Sequence, residues 1–271
     1  MKLGFIGAGN MASAILQGAV SNGFLPAEDI WIYDIDPAQC AKKKTIYSTL
    51  QIAENNVDLI QQVDVVILAV KPVYYAAVLQ EIRAHAAGKK IISIAAGWTH
   101  AMLTEILDAS CNAQVLRVSP NTPALVGEGF TAFCEETSFD EASLQWAHGL
   151  FETLGDTCTA PERLFNAIIA VSGSSPAYVY MFIEAMADGA VKLGLPRALS
   201  YRAAAQAVLG AAKMVLATGD HPGKLKDDVC SPGGTTIEAV YQLERGGMRA
   251  SVISAMEACV EKCQKLEQEQ K

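Results

Sequence analysis

The feature that most narrows the fold of this chain is an alternation that stops partway along it. Up to Pro161, short β-branched runs alternate with amphipathic segments; beyond it no further strand-like run occurs. Such alternation is the pattern of parallel strands joined by crossover helices. Strands are expected over residues 3–6, 30–33, 64–70, 90–95 and 114–118, with helices over 11–20, 37–44, 73–85 and 99–107. A further strand fits 130–134, and Leu144, Ala147, Phe151 and Leu154 recur at the spacing of a helix behind it. After Pro161 the apolar residues recur every three to four positions, which predicts helices over 164–171, 177–193, 198–218 and from 248 to the C-terminus. Gly194 and Pro196 supply a stop and a restart, while residues 220–223 form another break. The expected architecture is α/β: a Rossmann-like doubly wound parallel sheet over 1–160, followed by an all-α domain over 161–271. At 271 residues the chain exceeds what one core usually fills, which suits two domains.

Composition narrows the function. A formal charge of −8 speaks against a nucleic-acid partner, because phosphate contacts need clustered Lys and Arg. The one basic run, Lys42 to Lys44, reads as a solvated helix face. Apolar stretches such as 63–70 and 91–96 are strand-sized, far below the roughly 20 residues of a membrane-spanning helix, so no membrane association is expected. The chain runs from Met1 directly into a strand with no leader pattern, and a cytoplasmic location is the expectation. Seven cysteines show neither a CxxC pair nor histidines at ligand spacing, which reads as reduced thiols and no metal site.

Gly7, Ala8, Gly9, Asn10, Met11 and Ala12 form GxGxxA between the first strand and the first helix. The first glycine allows a tight turn, the second admits a pyrophosphate against the backbone, and Ala12 lets helix and strand approach. Phosphate then meets free amides at a helix N-terminus. A second strand ends at Asp34, about 20 residues beyond the motif, where a carboxylate bonds the ribose 2′-hydroxyl of NAD and repels the 2′-phosphate of NADP. A capping role for the helix near Pro37 is an equal alternative, and the choice between NADP(H) and NAD(H) stays open. Ala69, Val70, Lys71 and Pro72 end one strand and Ala95, Ala96 and Gly97 the next, at the sheet edge where ligands bind. Lys71 there reaches a phosphate or stays solvated.

Two segments interrupt the helical half, Val171 to Tyr178 and Cys230 to Thr236. In the second, Pro232, Gly233 and Gly234 precede Thr235, Thr236 and a helix running to about Leu243. Bare amides at a helix start, flanked by hydroxyls, suit a carboxylate; an ordinary capped helix is the plainer alternative. His85, His100, His148 and His221 lie away from these motifs.

The motifs IGAGNM (6–11), AVKP (69–72), PNTPA (120–124), SGSSPAY (172–178) and SPGGTT (231–236), in that order, resemble the pyrroline-5-carboxylate reductase family along the whole chain. The resemblance implies an NAD(P)H-dependent imine reductase acting on a small molecule, 1-pyrroline-5-carboxylate, and making proline. It implies a homodimer built through the helical domain, with rings of dimers common and a catalytic pocket shared across the dimer. Carried over, Gly7 to Ala12, Asn56, Ala69 to Pro72 and Ala95 would line the cofactor. Ser231 and Gly233 to Thr236 would hold the substrate carboxylate, with the Thr236 hydroxyl near the ring nitrogen. Ser175 and Ser119 depart from the commonest family pattern, Gly and Met, and Asp34 stands where many relatives carry uncharged or basic residues. A β-hydroxyacid dehydrogenase would need a carbonyl-polarising lysine that 166–186 lacks, and a non-catalytic nucleotide-binding module leaves SPGGTT without a purpose.

Overall fold

A computed structural model of the chain describes residues 1–107 and 111–270. The chain divides into two compact units: Met1–Ser174 together with the C-terminal segment from Cys259, and Ser175–Ala258.

The first unit is built on one sheet. Its strands are β1 (Leu3–Ile6), β2 (Ile30–Tyr33), β3 (Gln51–Ile52), β4 (Val65–Leu68), β5 (Lys90–Ser93), β6 (Gln114–Ser119), β7 (Gly129–Cys134) and β8 (Gly155–Ala160). They lie in the order β3-β2-β1-β4-β5-β6-β7-β8. The order reverses direction at β1, which pairs with β2 on one side and β4 on the other. Every residue of β1 and β4 is buried, as expected of a parallel sheet covered on both faces. Alternate residues point to opposite faces, so Leu3 and Phe5 join one core cluster and Ile6 the other. Helices α1 (Asn10–Ser21), α2 (Pro37–Ile46) and α6 (Glu141–Glu152) contribute to the first cluster. Helices α3 (Asn56–Gln62), α4 (Tyr75–Ile82) and α5 (His100–Leu107) contribute to the second. This is the expected doubly wound layer.

The sheet departs from a purely parallel one at β6 and β7, which pair antiparallel. The cause is the short link over 120–128, since a parallel return needs a crossover of about a dozen residues or more. Helix α6 then provides a true crossover, and β8 runs parallel to β7. β3 and β8 carry no clear strand signal. β3 has two residues, and β8 reads GDTCTA, half-exposed at the sheet edge with no apolar alternation.

Past β8 the described chain is helical, as expected. A short α7 (Phe165–Ile168) passes into a π-helical turn over Ile169–Gly173. The segment from Val171 to Tyr178, read as a break, is therefore a corrected expectation: the backbone widens for one turn and continues as α8 (Ser175–Lys192). The second unit comprises α8, α9 (Arg197–Thr218), α10 (Pro222–Val229), α11 (Thr235–Arg245) and the start of α12 (Met248–Glu269). Gly194 adopts φ +99° and Pro196 opens α9, the anticipated stop and restart. α10 begins at Pro222, inside the expected break, which is thereby confined to residues 219–221, and it is too short and polar for its period to stand out. The expected helix to the C-terminus ends at Glu269, and Lys271 lies outside the described residues.

Candidate active site

The turn between β1 and α1 consists of Gly7, Ala8 and Gly9. Gly7 adopts φ +98°, and a Cβ there would lie 2.7 Å from the Ala69 carbonyl, so only glycine fits. Gly9 is the N-cap of α1 without a side-chain cap, and a Cβ on it would meet nothing within 4 Å. The first amides of α1 thus face open space at the positive end of a twelve-residue helix, a cradle that fits a pyrophosphate. Ala12 is buried against the sheet, while Asn10 is exposed and Met11 half-buried at the mouth.

Asp34 follows the end of β2. Its Oδ2 accepts the Ala8 N–H at 2.7 Å and its Oδ1 accepts the Asp36 N–H at 2.9 Å. The capping alternative belongs to another residue: Asp36 accepts the Ala38 N–H at 3.0 Å and caps α2. Lys43 also departs from expectation, because it is buried rather than solvated and its Nζ donates to the Ala8 carbonyl. Cys40 and Lys43, three positions apart, share the inward face of α2, which carries the ammonium beneath the glycine turn. Burial lowers the Lys43 pKa against the charges of Cys40 and Asp34. Residue Ala8 is thereby held by a carboxylate at its N–H and by an ammonium at its C=O.

Gly7, Asp34, Asn56 and Val70 line one cleft of about 380 Å³, together with Ile35, Tyr74 and Glu81, which the motifs did not reveal. Asn56 opens α3 and donates to Glu81 Oε2 at 2.8 Å. Ala69 follows β4 and donates to the Ile6 carbonyl at 2.8 Å, tying the AVKP turn to β1. Lys71 is exposed and precedes the 3-10 turn over Pro72–Tyr74. Trp98 Nε1 donates to the Pro72 carbonyl at 3.1 Å and joins that turn to the one after β5, where Ala95 is buried.

In the second unit, Gly234 N–H donates to the Ser231 carbonyl at 3.0 Å and closes a turn in which Gly233 adopts φ +67°. Gly234 is then the N-cap of α11, and no side chain caps it. Ser231, Pro232, Gly233 and Thr235 are exposed, and Gly234 and Thr236 half-buried. The amides of the first turn stand bare beside two threonine hydroxyls, the arrangement a carboxylate needs.

Two links escaped sequence reasoning. Buried Asn121 donates to the Ser172 carbonyl at 3.0 Å and accepts the Phe130 N–H at 2.9 Å, so PNTPA is pinned to the π-helical turn of SGSSPAY. Arg117, fully buried on β6, pairs with Glu162 at 2.9 Å and stacks over Phe165. The histidines have local contacts elsewhere: His221 caps α10 and His148 stacks on Phe133.

A sheet that reverses at β1, a glycine turn opening α1 and an acid after β2 define the dinucleotide-binding α/β proteins of Rossmann type, here joined to a helical unit. The family model described as pyrroline-5-carboxylate reductase dimerisation matches residues 162–266, and one described as NADP oxidoreductase, coenzyme F420-dependent, matches 2–97. Pyrroline-5-carboxylate reductase of Escherichia coli (strain K12) is 45% identical over 98% of both chains. That of Glycine max is 41% identical over 97% of this chain and 95% of its own. The crystal structure of Plasmodium falciparum pyrroline carboxylate reductase with NADP bound matches with a TM-score of 0.90 at 33% identity, over 98% of each chain. The chain belongs to the pyrroline-5-carboxylate reductase family.

Proposed function

We propose that this chain is a pyrroline-5-carboxylate reductase, which reduces the C=N bond of 1-pyrroline-5-carboxylate with NAD(P)H and yields L-proline, the last step of proline synthesis. Full-length identity to reductases of that name carries the reading. The uncapped helix start at Gly234 supports it from the structure. Residues 1–160 form the NAD(P)-binding domain and 161–271 the helical domain for dimerisation and substrate binding. A nicotinamide held there would supply a hydride to the imine carbon.

The chain's own residues supply position. Gly7 to Ala12 hold the pyrophosphate, with Asp34, Asn56, Ala69 to Pro72 and Ala95 lining the rest of the dinucleotide. Ser231 and the amides of Gly233 to Thr236 grip the substrate carboxylate and so fix the face presented. Orienting two reactants in this way is worth on the order of 7–11 kcal/mol. The Thr236 hydroxyl bonds the ring nitrogen, a contact worth roughly 2–4 kcal/mol. A hydroxyl is a poor acid at neutral pH; the imine reacts in its protonated form, whose N–H the Thr236 hydroxyl accepts, and hydride addition to that form leaves the neutral amine with no acid needed from the chain. The working form is a homodimer, in larger assemblies a ring of dimers, and acts in the cytoplasm. The match of 162–266 to a dimerisation family supports the first of these.

Mixing the purified protein with the imine and NADH or NADPH, while following the nicotinamide absorbance and proline formed, tests the reading. Dinucleotide oxidation without proline would remove it. Thr236→Ala is expected to lower kcat about 10-fold or more with the fold intact; unchanged kinetics would take Thr236 out of the chemistry.

A further inference from the structure

We propose that the adenosine end of this dinucleotide site is built for an unphosphorylated ribose, so that the chain prefers NADH to NADPH. The inference rests on the dinucleotide reading above and deepens it.

The charge pattern of the cleft carries the argument. Its lining contains two carboxylates, Asp34 and Glu81, and among the described residues no Lys, Arg or His; Lys71, next after the lining Val70, is exposed and lies outside this cleft. Asp34 is not free to swing away. Asp34 is held through both oxygens by the Ala8 and Asp36 amides, and Glu81 accepts from Asn56 Nδ2. The nearby basic run does not compensate. Lys43 and Lys44 donate to the backbone carbonyls of Ala8 and Leu50, and Lys42 lines no part of the cleft. A site that accepts the 2′-phosphate needs a cation beside it. Here a group of nearly two negative charges would enter a cleft lined by two carboxylates, one of them anchored.

A ribose hydroxyl meets the opposite situation. A carboxylate offers about four acceptor positions, and the two backbone amides leave Asp34 with acceptor capacity for the 2′-hydroxyl. Asn56 adds an independent sign. It is buried and lines the cleft, and its Oδ1 has no partner among the described residues, an unmet acceptor at the wall of the site. Exposed Ile35 and Tyr74 provide apolar walls for a flat base.

Titrating the protein separately with NADH and NADPH, and following nicotinamide fluorescence, reads the preference without any turnover. NADH is expected to bind at least about 10-fold more tightly, with kcat/KM for the imine following the same order and the gap narrowing as salt screens the repulsion. Asp34→Asn keeps an acceptor for the Ala8 amide and drops the charge; it should narrow the gap about 10-fold, through a gain for NADPH. Glu81→Gln, away from the glycine turn, should narrow it less. NADPH binding as tightly as NADH in the unmodified protein would overturn the proposal, as would two variants that leave the ratio unmoved. Failure of both dinucleotides to bind would instead strike the functional reading itself.

Discussion

The two units of this chain solve the same problem differently. In the first, β1 and β4 are buried along their whole length and the two clusters that sandwich the sheet consist of residues with almost no solvent exposure. In the second, between Ser175 and Ala258, only Ala187, Ser200 and Ala204 are buried. Met181 on α8 is 69% exposed, Leu216 on α9 is 84% exposed, and Tyr180, Val229 and Tyr241 also stand in solvent. Single apolar side chains on a surface are ordinary, but a helical unit with almost no interior of its own is not. A sheet closes its core within one chain because helices return across both faces. Long helices with apolar residues on several sides need a further surface, and the proposed dimer supplies one.

The largest effect should come from charging that surface. Met181→Glu combined with Leu216→Glu is expected to give a protein of monomer mass by light scattering, with turnover reduced about 10-fold or more, since folding and assembly are linked. Ile46→Glu, at a site 72% exposed in the first unit, should alter neither. An unaltered mass in the double variant would break the contrast. Ion pairs sharpen it next. Glu162→Ala strands the Arg117 guanidinium, whose side chain is 2% exposed, and should cost about 3–5 kcal/mol in urea unfolding. Glu244→Ala, which frees the exposed Arg249 of the second unit, should cost less than about 1 kcal/mol. Equal costs would mean the two regions are equally buried.

The smallest effect is one of pH. Hydrogen bonds from Ser143 and Gln114 hold the Asp140 carboxyl at about 2, below its ordinary 3.8. A depressed folded pKa contributes stability above the unfolded value, so this contribution is present above about pH 4 and is lost as pH falls toward 2. Comparing Tm between pH 5 and pH 2 for the unmodified protein and Asp140→Asn should show a shallower acid loss in the variant. Parallel curves would mean that the α6 cap does not titrate in this way.

Legibility followed burial. Leu3–Ile6 and Ile30–Tyr33 were readable to the residue because strands of a parallel sheet covered on both faces are short apolar runs. β8 was not, because an edge strand written GDTCTA has no alternation to detect. The glycine turn was readable because only glycine tolerates the Gly7 backbone, and the uncapped start of α11 was signalled by Pro232, Gly233 and Gly234. The inward face of Lys43 was hidden by its two lysine neighbours, although its spacing from Cys40 pointed to it.

By itself, then, the sequence determined where strands alternate with helices, where they cease, and where backbone amides are left bare for anions. Those features depend on the periodicity and conformational limits of neighbouring residues. Only the tertiary structure decided that Asp34 and Lys43 hold the N–H and the C=O of residue Ala8, that Asn121 pins one motif to another, and that Arg117 finds Glu162. Each joins residues far apart in the chain, and a polar side chain's partner is set by which segments the sheet order brings together, which no local pattern encodes.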